Sequence, residues 1–361
     1  MKTEVAHVRD ADRAMRVDFE RARALMLAAV EARSSEMVPL HEAGDRVVAA
    51  ILLADADIVP YARSGMDGFA LRAADARGAD AAPVVLPVAP TGVRAIATGA
   101  PLPEGTDCVV PIECVVDRGD SIVLRAPLRP GDHVFPPGDD AKRGEVLVRP
   151  GDAMTAGRAA LLAAAGHATV RVVRRPRVAI ACTSDTVVAA MLAVAVVRDG
   201  AAVVSSDSPG SSDLIVASGR DAAAFETHFA FRSVALRPAK QTGFGRLGGT
   251  PIVVLPEDPA AAFVAYRTLV RGLVRKLAGR SDPYPRAILA ALDGTIRAKP
   301  ERHHVIFARL ANEGGVFRVT PLENQCSSLV RTAADANALI VVPPGTDDLS
   351  SGTMVPVEVV D

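Results

Sequence analysis

The chain has 361 residues, 49% of them hydrophobic, which is enough to bury the cores of more than one domain; aromatics are 4% with no Trp, so those cores are built from Ala, Val and Leu. Lys and Arg number 41 against 42 Asp and Glu, a formal charge of -1, which gives no electrostatic footing for nucleic acid or an anionic membrane surface. Cys108, Cys114, Cys182 and Cys326 lie far apart without metal-ligand spacing, the pattern of reduced, buried thiols in a cytoplasmic protein.

Residues 1–18 are charged and carry no apolar core, so they do not read as a secretory signal. Residues 17–32 put Phe19, Ala22, Leu25, Met26, Ala29 and Val30 on one helix face, with Asp18 as the N-cap. From 39 to about 173 the texture is β, in "VVLPVAP", "DCVVPIEC", "SIVLRAPLRPGD" and "GEVLVRPGD", each bounded by Gly or Pro. One helix over 155–166 interrupts it and ends at Gly166, suited to the C′ position.

At Arg175 the rhythm changes. "RVAIACTSD", "AAVVSSD", "DLIVASGRD" and "TPIVVLPED" are apolar runs ending in small or polar turn residues with helical stretches between, the βαβ pattern of a parallel sheet. Binding residues of such sheets gather beyond the carboxyl ends of the strands. The longest apolar run, 187–197, falls short of the roughly 20 residues of a membrane span. In "VVLPEDPAAAF" a strand meets a helix N-terminus, where unpaired N–H groups and the helix dipole favour an anion. Yet Glu257 and Asp258 occupy the turn. Asp258 as N-cap and Pro259 at N1 explain every residue there without a ligand, which implies a structural turn with an impaired anion site. The basic residues from Arg267 to Arg280 read as the solvated face of the following helix. After Asp282, "HHVIFARL", "GVFRVTPL", "NALIVVPPG" and "MVPVEVV" predict a small β domain. His303 and His304 fall on an edge-like strand and face opposite sides, against a shared metal.

Several segments carry a family resemblance. "VPYARSGMDGFALRA", "IATGAPLPEGTDCVVPIE", "PGDDAKRGEVLVRPG", "RPRVAIACTSD", "LRPAKQTGFG" and "LPEDPAAAF" resemble, in order, the signature stretches of the molybdopterin molybdenumtransferases, the MoeA and gephyrin E-domain family. The resemblance covers nearly the whole chain. It implies a multidomain α/β plus β protein: an N-terminal helix (1–34) packing on a shortened, parallel-sheet, molybdopterin-binding-like α/β domain (175–282), an elongated connecting domain (35–54 and 143–174), an inserted β domain (55–142) and a C-terminal, barrel-like β domain (283–361). It also implies insertion of molybdate into adenylylated molybdopterin with release of AMP, a Mg²⁺ requirement, and a homodimer that works on small molecules in the cytoplasm without nucleic acid or membrane.

Carried over residue by residue, the resemblance makes Asp67, Asp140 and Asp185 catalytic, with Asp67 and Asp140 also metal ligands. Thr98, Gly99, Thr183, Arg237, Lys240, Pro256 and Pro259 become substrate-binding. Chemistry alone leaves Asp67 either a carboxylate that orders Mg²⁺ and phosphates or a turn Asp bonding its own backbone; the resemblance selects the first. Other positions depart from the family: Ser184, Thr186, Arg220, Ala239, Gln241, Glu257, Asp258 and Phe135 replace its Gly, Glu, Gly, Gly, Pro, Gly, Asn and Arg. These departures leave a second reading open, a catalytically impaired paralogue acting as a pterin-binding or scaffold protein.

Overall fold

The computed structural model describes residues 15–90, 92–182, 185–205, 212–222, 225, 227–284, 286–298 and 301–360. The chain divides into two compact units, Met1–Met37 with Asp45–Ala49 and Arg171–Asp361, and Val38–Gly44 with Ala50–Val170.

The first unit is organised on a six-stranded sheet ordered Ala202–Val204, Arg177–Ala181, Leu214–Ser218, Thr250–Leu255, Gly243–Leu247, His228–Phe231. The first four strands are parallel, as the βαβ rhythm requires. Leu214–Ser218 is buried at every position, which is why it reads as continuous apolar sequence and not as alternation. The last two strands run antiparallel. Gly243–Leu247 is also antiparallel to Thr250–Leu255, and the hairpin between those two turns through Gly248 and Gly249 at φ 54° and 88°, a conformation that a two-residue turn matched to strand twist demands.

Helix α1 (Phe19–Ala28) begins where expected: the Asp18 carboxylate accepts the Arg21 N–H at 2.8 Å. Phe19, Ala22 and Met26 enter the core beside Val178, Leu192, Leu214, Val253, Leu269 and Leu273. Helix α2 (Thr186–Arg198) follows the first parallel strand. Helix α3 (Pro259–Ala265) passes through a π segment, Tyr266–Val270, into α4 (Arg271–Leu277). Here the structure corrects the sequence reading. Arg267 and Arg271 are each only 6% exposed. Arg271 pairs with Asp199 at 2.8 Å and Arg267 with Glu358 at 2.9 Å, while the Tyr266 hydroxyl donates to Asp199. Wider turns in the π segment shift the faces of the helix, so projection at 3.6 residues per turn assigns the wrong side to solvent.

The C-terminal strands of this unit, ordered His303–Glu313, Val316–Pro321, Ile288–Leu292, Met354–Val359, Ala338–Val342, close on themselves because His303–Glu313 also pairs with Ala338–Val342. The result is a five-stranded barrel filled by Ala290, Leu292, Ile306, Val319, Ile340 and Val357. His303 and His304 are therefore not at an edge: His304 pairs with Val342 on one side and Arg237 on the other.

The second unit contains two three-stranded antiparallel sheets, one centred on Gly68–Leu71 between Arg94–Ile96 and Cys108–Pro111, the other on Ser121–Leu124 between Val84–Pro87 and Val115–Asp117. Its helix, Ala156–Ala164, is capped by Thr155 and followed by Gly166 at φ 85°. Cys108 and Cys182 are buried as expected, whereas Cys114 and Cys326 are exposed. No helix among the described residues is long and apolar enough to cross a membrane.

Candidate functional site

Part of the predicted set falls in two places, one in each unit: Asp67, Thr98 and Gly99 in the second, and Arg237, Lys240 and Pro256 in the first. In the second unit the "SGMDG" turn is fixed by its own small residues. The Ser64 hydroxyl donates to the Met66 carbonyl at 2.5 Å, and the Gly65 N–H donates to the His133 carbonyl at 2.8 Å. Gly68 admits no side chain: a Cβ there would lie 2.0 Å from the Val110 carbonyl oxygen. Asp67, presented between these glycines, accepts the Thr98 N–H at 2.6 Å and the Thr98 hydroxyl at 2.9 Å, both on Oδ1. These two donors hold the Asp67 carboxyl below the usual carboxylate range, so it stays ionised. Its Oδ2 has no protein partner among the described residues. Asp67 is thus no self-bonded turn aspartate; its partner lies on a separate loop. Gly99, at φ 80°, donates its N–H to the Ser64 carbonyl and joins that loop to the turn.

Asp140 has a different partner. Arg63 donates to its Oδ2 at 3.1 Å, and the same guanidinium lies 5.3 Å from the Phe135 ring. Phe135 faces Arg63 across an antiparallel pair. The sequence reading did not assign Arg63 a role, although it lies within the "VPYARSGMDGFALRA" stretch.

In the first unit, a cavity of about 740 Å³ brings together Arg237, Lys240 and Pro256 from the predicted set. It also takes in Asp258, Glu301, Arg302, His304, Cys326 and Ser327, most of which the sequence reading had not assigned to a site. The Pro238–Gln241 loop is held firmly, with the Thr242 hydroxyl donating to the Ala239 carbonyl at 2.8 Å and the Val234 N–H to the Lys240 carbonyl at 3.0 Å. Ala239 sits at φ 84°, a left-handed conformation that only glycine adopts without steric cost. Of the two acids in "LPEDP", Asp258 lines the cavity while Glu257 is exposed and outside it. Asp258 holds the N-cap position of α3 but makes no side-chain cap, which corrects the expected role. Its carboxylate accepts the Ser327 hydroxyl at 3.1 Å instead, and the Ala260 N–H donates to the Ser327 carbonyl at 3.0 Å. Arg237, Lys240 and Arg302 outnumber Asp258 and Glu301, so the lining remains cationic although the turn itself does not.

Pro259 occupies the first turn of α3 and does not line the cavity. Asp185 is outside it too: Oδ1 caps α2, accepting the N–H groups of Val187 and Val188 at 3.1 and 3.0 Å. Thr183, predicted to bind substrate, lies outside the described residues, as does Ser184. Nearby Cys182 is pushed up to about 12 by burial and by the charges of Asp221 and Asp185, so it is no nucleophile. Among the described residues there is no group of three or more His, Cys, Asp or Glu that could hold a metal ion. A protein-only cage is therefore excluded there. An ion that takes one carboxylate, with phosphate oxygens and water completing its shell, fits Asp67; Arg63 already compensates Asp140.

An α/β sheet joined to a closed barrel, with a cation-lined cavity and a pre-oriented carboxylate, defines a multidomain protein suited to small anionic ligands. The sequence matches the MoeA N-terminal region (domain I and II) over residues 17–166 and the MoeA C-terminal region (domain IV) over residues 290–360. Relatives include molybdopterin molybdenumtransferase 2 of Mycobacterium tuberculosis, 29% identical over 89% of this chain and 94% of that protein. Molybdopterin molybdenumtransferase 1 of the same organism is 30% identical over 73% of this chain and 72% of that one. The fold resembles the crystal structure of the molybdopterin biosynthesis MoeA protein from Pyrococcus horikoshii, with a TM-score of 0.81, 23% identity, and coverage of 95% of this chain and 99% of that chain. The chain belongs to the MoeA family.

Proposed function

We propose that this protein is a molybdopterin molybdenumtransferase, inserting molybdate into adenylylated molybdopterin with release of AMP in molybdenum cofactor biosynthesis. The observation that carries this reading is the Asp67–Thr98 pair. Two donors on one oxygen orient the carboxylate and keep it ionised, while among the described residues the other oxygen has no partner. The names of the relatives supply the substrate class.

Mg²⁺ held by Asp67 would neutralise phosphate charge and polarise a phosphoryl oxygen. Thr98 fixes the carboxylate, and Arg63 holds Asp140 through an ion pair. In the first unit, Lys240 and Arg237 offer positive charge to the anionic groups of pterin or molybdate, and Pro256 shapes that wall. Asp185 acts through α2 as its cap. A homodimer in the cytoplasm completes the proposal.

Calorimetric titration of the full chain with molybdopterin and with its adenylylated form, each with Mg²⁺ and molybdate, tests it. Binding of the adenylate followed by AMP release is the expected result. Binding with no AMP release, or no heat with either compound, would overturn it.

A further inference from the structure

A second cavity, of about 490 Å³, lies in the first unit at the opposite ends of the parallel strands, where Arg177, Asp213 and Thr250 stand at or beside strand starts. Its volume is in the range of small-molecule sites. Four guanidinium-bearing residues line it, Arg33, Arg174, Arg177 and Arg246, against two carboxylates, Glu31 and Asp213. None of the six lines the Lys240 cavity.

The partners of these groups decide what the basin can do. Asp213, whose side chain is 7% exposed, is already committed: Oδ1 pairs with Arg33 at 3.1 Å and Oδ2 accepts the Arg177 backbone N–H at 2.8 Å. Arg246 donates to the Gly249 and Ala29 carbonyls at 2.6 and 3.0 Å, neutral acceptors that fix the guanidinium but leave its charge uncancelled. The guanidinium groups of Arg174 and Arg177 have no hydrogen-bond or ion-pair partner among the described residues. The four arginines, drawn from three separate stretches of chain, exceed the two carboxylates by two positive charges. Bringing like charges together is unfavourable, and a dianion set among them reverses the sign of that interaction. Guanidinium forks also match the paired oxygens of a phosphate.

We infer that this arginine basin is a binding site for a phosphate-bearing small molecule, separate from the site of the proposed transferase. Asp213 sets Arg33 in place, Arg246 forms a wall, and Arg174 and Arg177 supply the free donors.

Arginine footprinting of the full chain with phenylglyoxal, read by peptide mass spectrometry, tests this without depending on a variant's folding. Inorganic phosphate and AMP are expected to slow modification of Arg174 and Arg177 severalfold, and adenosine to leave it unchanged. In the Arg174→Gln, Arg177→Gln double variant, phosphate protection of Arg33 is expected to disappear. Protection confined to Arg237 and Arg302, protection at no arginine, equal protection by adenosine, or protection of Arg33 that persists in the double variant would each overturn the inference. A stronger effect of AMP than of phosphate would support a nucleotide as the natural occupant; equal effects would support free phosphate.

Discussion

Thr98 reaches the same oxygen of Asp67 twice, through its backbone N–H and through its hydroxyl, across 31 positions of sequence. The carboxylate is exposed, yet its direction is set by a neighbouring loop.

Asp67→Asn keeps an acceptor for Thr98 and removes the charge. Folding should be unchanged and AMP release should fall by about 100-fold or more, the scale of losing one positioned electrostatic group. Thr98→Val removes the hydroxyl donor and should raise the Asp67 pKa, read by carbon-detected NMR titration of the carboxyl. Because the folded pKa is depressed, the stability this contact contributes is present above the ordinary aspartate range and is lost as pH falls through the lowered value.

Asp199→Ala leaves Arg271 buried without its 2.8 Å partner and removes the acceptor of the Tyr266 hydroxyl. Breaking a buried pair from one side costs about 3–5 kcal/mol, and urea unfolding should show a loss of that size. Adding Arg271→Met to Asp199→Ala should recover part of it, because the buried guanidinium, which keeps Glu358 at 3.5 Å but has lost its shortest ion pair, is then gone.

Ala239 presents a sharper contrast. Valine at φ 84° combines a β-branched side chain with a left-handed backbone in a position only 3% exposed, and Ala239→Val should cost about 2–4 kcal/mol. Ala239→Gly should fall within about 1 kcal/mol of the parent. Relief of roughly 1 kcal/mol of backbone strain is offset by about 0.8 kcal/mol of lost methyl burial and the greater freedom of glycine in the unfolded chain.

His303 is held below its ordinary range mainly by burial, with Glu20 opposing the shift. The folded state prefers neutral imidazole, so stability is full above the unfolded histidine value near 6.5 and declines as pH falls below it toward the folded value. His303→Gln should flatten that part of the Tm profile between about pH 5 and 7.

Asp258 is one of the carboxylates facing Arg237 and Lys240 in the larger cavity. Asp258→Asn retains an acceptor for Ser327 and removes a negative charge, so molybdate affinity by calorimetry should rise several-fold. Lys240→Gln should lower it by a similar factor.

Much of this was legible in the sequence where the signal is local. Asp18 and Thr155 cap their helices, Gly166 closes one, and the alternation after Asp282 became a barrel. The "SGMDG" motif pointed to Asp67 but not to Thr98 as its donor, because no period in sequence links two loops. Nor could spacing show that Arg237, Asp258, Arg302 and Ser327 share one cavity; strand pairing brings them together. The two arginines assigned to solvent were misplaced because five π-helical residues shift the faces of an otherwise regular coil. The closing of the barrel, which took His303 and His304 off an edge, depends on a pairing between strands more than thirty residues apart.

The first unit is discontinuous, and this has a consequence for synthesis. Phe19, Ala22 and Met26 of α1 find their cover on strands and helices between Val178 and Leu273. At about 5–20 residues per second, the ribosome completes that cover on the order of ten seconds or more after the helix has emerged. Throughout that interval α1 belongs to a nascent chain with an unshielded apolar stripe, a suitable client for a chaperone. The sequence between must be made before α1 can dock.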